Sequence, residues 1–132
     1  MELQIIEKYI FSKDTIVNFV NVIVDLTQST HSENEFWDKV DKELLIALIG
    51  ACFNEFPSFE RNMKSVLGML EMYDGNKEVG VDLWFEELGE RNPDHFAVKH
   101  YTNFKMASGK IRSSVIQSCV KRIKDFTCVI KG

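Results

Sequence analysis

The residues that most invite a chemical reading lie between Phe104 and Ser118, where Gly109 and Lys110 stand together as they do at the end of a phosphate-binding loop. Such a loop needs Gly-x-x-x-x-Gly-Lys-Ser/Thr, so that successive backbone N–H groups wrap a phosphate and the hydroxyl reaches magnesium. Phe104 takes the first glycine position and Ile111 the hydroxyl position, which removes nucleotide chemistry from this stretch. His95 and His100 lie about 140° apart around a helix, whereas a zinc pair needs i, i+4 on one face. Glu86, Glu87 and Glu90 cluster without a histidine at ligand spacing and read as a solvated helix face. Lys121 and Arg122 beside Cys119 would lower a thiol pKa, yet the apolar stripe that carries Cys119 argues for burial and inertness. Ser113, Ser114 and Ser118 have no neighbouring histidine in sequence to activate them. These residues predict no catalytic set, no metal site and no cofactor.

Charge gives a positive signal. Residues 1–98 hold 8 Lys/Arg against 19 Asp/Glu, a balance of −11, while residues 99–132 hold 8 Lys/Arg against Asp125 alone, a balance of +7, which together give the net −4. A basic segment on an acidic body suits an oriented contact with nucleic acid or an acidic protein. On a helix running from Lys110, the side chains of Ser114, Gln117, Lys121 and Lys124 all fall within about 40° of Lys110, opposite the apolar side. Ammonium groups and short polar side chains are what position a protein on phosphates without reading bases. Lys105 adds a further cation just before the break at Gly109. Arg112 falls on the apolar side, from which its place in the first turn leaves two outcomes open: it reaches out to solvent, or it pairs with an acid of another helix, with Glu86, Glu87 and Glu90 as candidates.

The elements that must position these groups are helical. Ile16, Phe19, Val20 and Ile23 set a first helix from about Asp14 to Gln28. Ser32 and Glu35 have capping-box spacing before a second helix, which is apolar nearly all round from Leu44 onward and ends before Pro57. Ser58 is the expected cap of a third, which carries Met63, Val66, Leu67 and Leu70. A fourth from about Val81 to Glu90 should turn Leu83, Trp84 and Leu88 inward. Asn92-Pro93 reads as cap and first position of a fifth, which runs through Phe96, His100, Tyr101 and Phe104. The sixth follows Gly109 and buries Val115, Ile116, Cys119, Val120 and Ile123. Thr127 to Ile130 is the remaining short β-branched run. Met63, Met69, Met72 and Met106 read as core filling rather than a binding groove.

With 132 residues, of which 45% are hydrophobic, the chain is predicted to be one all-α domain, a compact bundle of about six helices. Its longest apolar run, Leu44 to Phe53, is about half of a bilayer crossing, and the N-terminus lacks the basic flank of a secretory signal. Cys52, Cys119 and Cys128 are expected as reduced thiols in a cytosolic protein.

An ordered set of segments carries a family resemblance. Glu35-Phe36-Trp37-Asp38-Lys39, Phe85-Glu86-Glu87-Leu88, Arg91-Asn92-Pro93-Asp94-His95, Tyr101 with Phe104-Lys105, and Ala107-Ser108-Gly109-Lys110 leading to Ser114-Val115-Ile116 and Ser118 resemble the all-α domain of type IV secretion coupling proteins. These are the TraG-like ATPases of conjugative elements, and the likeness is to Gram-positive members, from about Asp14 to Phe126. The resemblance implies a non-catalytic substrate-recognition domain, inserted in a RecA-like motor, that contacts a relaxase or relaxosome protein, DNA, or both during conjugative transfer. It further implies a cytoplasmic location beneath a membrane-anchored parent. Because the chain lacks Walker motifs and membrane helices, it is expected to be an excised insertion domain of a larger coupling ATPase. The contact residues expected are Lys105, Lys110, Ser114, Gln117, Lys121 and Lys124. Two alternatives stay open: a module that docks on its own motor domain, and a free-standing helical protein-docking or DNA-binding module without a motor.

Overall fold

A computed structural model describes residues 10–29, 35–73, 78–107 and 109–131. Among these residues the chain forms six α-helices: α1 (Lys13–Leu26), α2 (Glu35–Glu55), α3 (Met63–Glu71), α4 (Glu78–Arg91), α5 (Phe96–Lys105) and α6 (Gly109–Lys131). A 3₁₀ turn at Ser58–Glu60 precedes α3, and no strand occurs among the described residues. The all-α expectation holds.

The core is organised around α2. Every residue from Leu44 to Cys52 is buried, so this half of the helix is enclosed on all sides. α1, α3, α5 and α6 supply the enclosure, and the most extensive packing is between α2 and α5. That closeness depends on Gly50, where an added Cβ would stand 2.6 Å from Phe96 Cε2. Aromatic side chains extend the same core: Phe19 packs edge-on against Phe126 with ring centroids 5.7 Å apart, and Phe11 meets Phe53 in the same way. Asn54 pins the segment before α1, because its side chain accepts from Phe11 N at 2.7 Å and donates to Phe11 O at 3.0 Å.

Helix ends follow local hydrogen-bonding chemistry, and here several expectations change. Ser12 caps α1 by accepting from Thr15 N. Ser58 does not cap α3; it opens the 3₁₀ turn, and the Asn62 side chain accepts from Ser65 N at 2.9 Å instead. Asn92-Pro93 does not start α5. Asn92 N donates to Leu88 O at 2.8 Å and so closes α4, which leaves His95 to cap α5 through Nδ1. The Ser32 capping box lies outside the described residues.

Two face assignments also change. Leu83 is 52% exposed, because α4 turns Val81, Phe85 and Leu88 inward at i, i+4 and i+7 and Leu83 points about 200° from Val81. The run Thr127 to Ile130 continues α6 as helix, with Thr127 Oγ1 donating to Ile123 O at 2.8 Å. Local β preference yields where Ile123 and Phe126 anchor the helix in the core. Among the described residues no helix is long and apolar enough to cross a membrane.

Candidate functional site

α6 carries most of the expected contact residues on its outer side. Lys110, Gln117, Lys121 and Lys124 are exposed and Ser114 is half-buried. From Lys110 to Lys124 the helix rises about 21 Å. The inner side is fixed by Val115, Cys119, Ile123 and Phe126, all buried, and this anchoring orients the lysines.

The six candidates do not form one uniform basic strip. Lys105, on α5, pairs with Asp82 of α4 at 3.7 Å, and Lys121 pairs with Asp125 at 2.8 Å. Lys110 and Lys124 have no ion pair among the described residues. Towards its C-terminal end the outer side opens onto two dissimilar grooves. One, of 290 Å³, sets Lys121 against Asp25, Gln28 and Asp125 near the end of α1 and is polar. The other, of 530 Å³, sets Lys124 beside Lys64 over apolar side chains of α3 and α6.

Behind this surface lies a buried network that the sequence did not suggest. Arg122, with no exposed surface, donates from Nε to Asp41 Oδ2 at 2.7 Å and from Nη2 to Asp38 Oδ1 at 2.6 Å. Its Nη1 donates to Val24 O at 3.2 Å and Thr27 O at 3.3 Å, the carbonyl end of α1, where a cation also meets the negative pole of the helix. Ser118 Oγ donates to Asp41 Oδ2 at 2.5 Å. One guanidinium therefore ties α1, α2 and α6 together. Burial raises the Asp41 carboxyl above its ordinary range, opposed by the Ser118 hydroxyl and the Arg122 guanidinium, and Oδ1 of the same carboxylate has no hydrogen-bond partner.

The other groups singled out by type have structural surroundings. Burial pushes the Cys119 thiol well above its ordinary range, with the Asp41 charge adding and Arg122 opposing, so Lys121 and Arg122 do not activate it. Cys52 is pushed up to about 11 by burial, and its Sγ lies 3.4 Å from Glu60 O. His95 accepts from Ala97 N at Nδ1 and therefore carries its proton on Nε2, which donates to Glu55 Oε2 at 3.1 Å. Burial lowers its pKa. His100 lies 3.1 Å from Glu43 Oε1, which Asn103 also reaches. Arg112 does not pair with Glu86, Glu87 or Glu90, which are exposed; it is half-buried, and its Nε is buried with no hydrogen-bond partner.

A hydrogen-bonded chain supports the α4–α5 side. Tyr101 stacks on Phe85 with ring centroids 4.0 Å apart and donates to Asp82 Oδ1 at 2.6 Å, and its hydroxyl lies 2.8 Å from that of Tyr73. Burial raises the Tyr101 phenol, which stays protonated as that donor. Asp82 is thus held by Tyr101 on one oxygen and neutralises Lys105 with the other. Among the described residues no three His, Cys, Asp or Glu side chains come together as a metal site. No protein-family model, no curated protein and no solved structure matches this chain.

Proposed function

We propose that this chain is a non-catalytic recognition domain, of the kind that type IV secretion coupling proteins insert into their motor, and that it contacts a relaxase or its DNA through the outer side of α6. The observation that carries the reading is the exposure of Lys110, Lys121 and Lys124 along a helix whose chain segment is +7, set on a body of −11. The all-α architecture and the ordered segments that resemble the coupling-protein domain support it. The parent protein would then lie at the cytoplasmic face of the membrane, and the motor domain would be a further partner.

Lys105 and Lys121 contribute less than their number suggests, because each is neutralised by a carboxylate of this chain. That favours a small, specific protein contact over a broad nucleic-acid track, and it keeps the docking module without a motor as a second reading. Titration of the domain with a relaxase and with single- and double-stranded DNA across a salt series separates them. Phosphate contacts release counterions, so DNA affinity falls steeply with salt. Failure to bind either partner at low salt would overturn the recognition reading.

A further inference from the structure

The groove between α3 and α6 has a composition that the recognition reading alone does not use. Met63, Leu67, Thr127 and Cys128 line it above the buried Ile123, with Lys64 from α3 and Lys124 from α6. No acidic side chain lines it, and neither rim lysine has an ion pair among the described residues. Ile130 stands seven residues beyond Ile123, so on the same side of α6, and is 61% exposed. Beside Leu67, Gly68 has nothing within 4 Å of where its Cβ would be, so this edge of α3 is open to close approach. The groove on the other flank of α6 differs in kind, because Asp25 and Asp125 line it with Lys121.

We propose that the α3–α6 groove docks a short apolar segment flanked by carboxylates, presented by a partner protein. Aliphatic or aromatic side chains of that segment would cover Met63 and Leu67, and its carboxylates would meet Lys64 and Lys124. Charge complementarity selects this occupant: two ammonium groups without counter-charge border an apolar trough, and ammonium groups at the edge of an apolar contact steer acidic partners and fix their register. Nucleic acid fits less well. Phosphates have no use for an aliphatic floor, and single strands are held by stacking on aromatic rings, which this groove lacks. Methionine in the floor suits a partner of variable side-chain shape, since its unbranched thioether repacks at low cost. The inference rests on the recognition reading and adds the surface and the partner chemistry.

The test uses the whole chain and a display library of 12-residue peptides. Enrichment of peptides that combine Asp or Glu with Leu, Ile, Phe or Trp is expected, and the Met63 and Leu67 methyl resonances should shift when the best of them is added. Lys64→Glu should weaken that peptide at least tenfold, and as an exposed change it leaves the circular dichroism spectrum unaltered. Selection without acidic bias, or binding unaffected by Lys64→Glu, would overturn the proposal. So would displacement of the peptide by a 20-nucleotide single strand, which marks a nucleic-acid groove, or a dimer that Lys64→Glu dissolves, which marks a second copy as the occupant. Lys64 lies off the outer side of α6, so failure of the peptide arms sinks the groove, while relaxase or DNA binding that survives Lys64→Glu leaves the recognition reading standing.

Discussion

Arg122 Nε lies 2.7 Å from Asp41 Oδ2, an ion pair between two side chains with no exposed surface and 81 residues apart in the chain. Burying two charges carries a desolvation cost that their attraction offsets only when the remaining hydrogen-bonding capacity is filled. Arg122 nearly meets that condition through Asp38, Val24 O and Thr27. Asp41 does not, since Oδ1 is orphaned. The pair specifies how α1, α2 and α6 meet more than it stabilises them.

Removing one partner should therefore cost far more than removing both. Arg122→Met leaves the Asp41 carboxylate buried and unpaired and should destabilise by about 3–5 kcal/mol. Adding Asp41→Leu to it should restore most of that loss, because apolar side chains can replace a buried pair at little cost. Urea unfolding of the two single variants and the double gives the coupling energy. A single-variant cost below about 1 kcal/mol would show that water reaches the pair.

Both charges could have been found in the sequence. Asp41 stands among Trp37, Leu44 and Leu48 on one helical stripe, and Arg122 among Cys119, Ile123 and Phe126 on another. An acid and a base placed on two apolar stripes must meet or leave a buried charge unpaired. Reading each helix alone hid this, since a stripe shows only that its residues are buried and not which stripe faces which. The same limit applies to Arg112, whose angle on α6 turns it towards the bundle without saying which side chains it meets there. The enclosed half of α2 was legible because an apolar circumference leaves no solvent face. Helix starts were less so: Ser58, Asn62, Asn92 and His95 are all competent caps or turn formers, and packing of the segments between helices chooses among them.

Two glycines in helices should respond oppositely to alanine. At Gly50 a methyl group would meet the buried Phe96 ring at 2.6 Å, so Gly50→Ala should destabilise by about 1–3 kcal/mol despite the better helix propensity. Gly68 is exposed in α3 with open space around it, and Gly68→Ala should stabilise by about 0.5–1 kcal/mol. Equal effects in thermal unfolding would contradict the close α2–α5 crossing.

His95 should give the protein an acid-sensitive limb. Burial lowers its pKa from the ordinary 6.5, so below that value the unfolded chain binds a proton that the folded chain refuses. Stability is then unaffected by this group above about pH 6.5 and falls as pH drops towards the folded pKa. Protonation would also put a hydrogen on Nδ1, where the imidazole now accepts from Ala97 N. His95→Asn keeps an N-cap acceptor and removes the titration, so the loss of unfolding free energy between pH 7.5 and 5.5 should be smaller in the variant. Asp41 is raised and acts with the opposite sign, but it is common to both proteins and cancels in the comparison. Parallel pH profiles would rule out the neutral, capping His95.

The lysines of α6 should not be equivalent. Each phosphate neutralised on a duplex contributes about 0.9 to the logarithmic salt slope. Lys110, without an ion pair among the described residues, should give nearly that full decrement as Lys110→Gln, whereas Lys121→Gln should give less because Asp125 holds the ammonium at 2.8 Å. Asp125→Asn releases Lys121 and should tighten DNA binding and steepen the slope. Reversing Lys110, Lys121 and Lys124 together should leave the helical circular dichroism spectrum intact and weaken substrate binding, since all three point away from the core. Unchanged affinity in the folded triple variant would move the contact away from α6. An Asp125→Asn variant that binds no more tightly would show that Lys121 faces no phosphate.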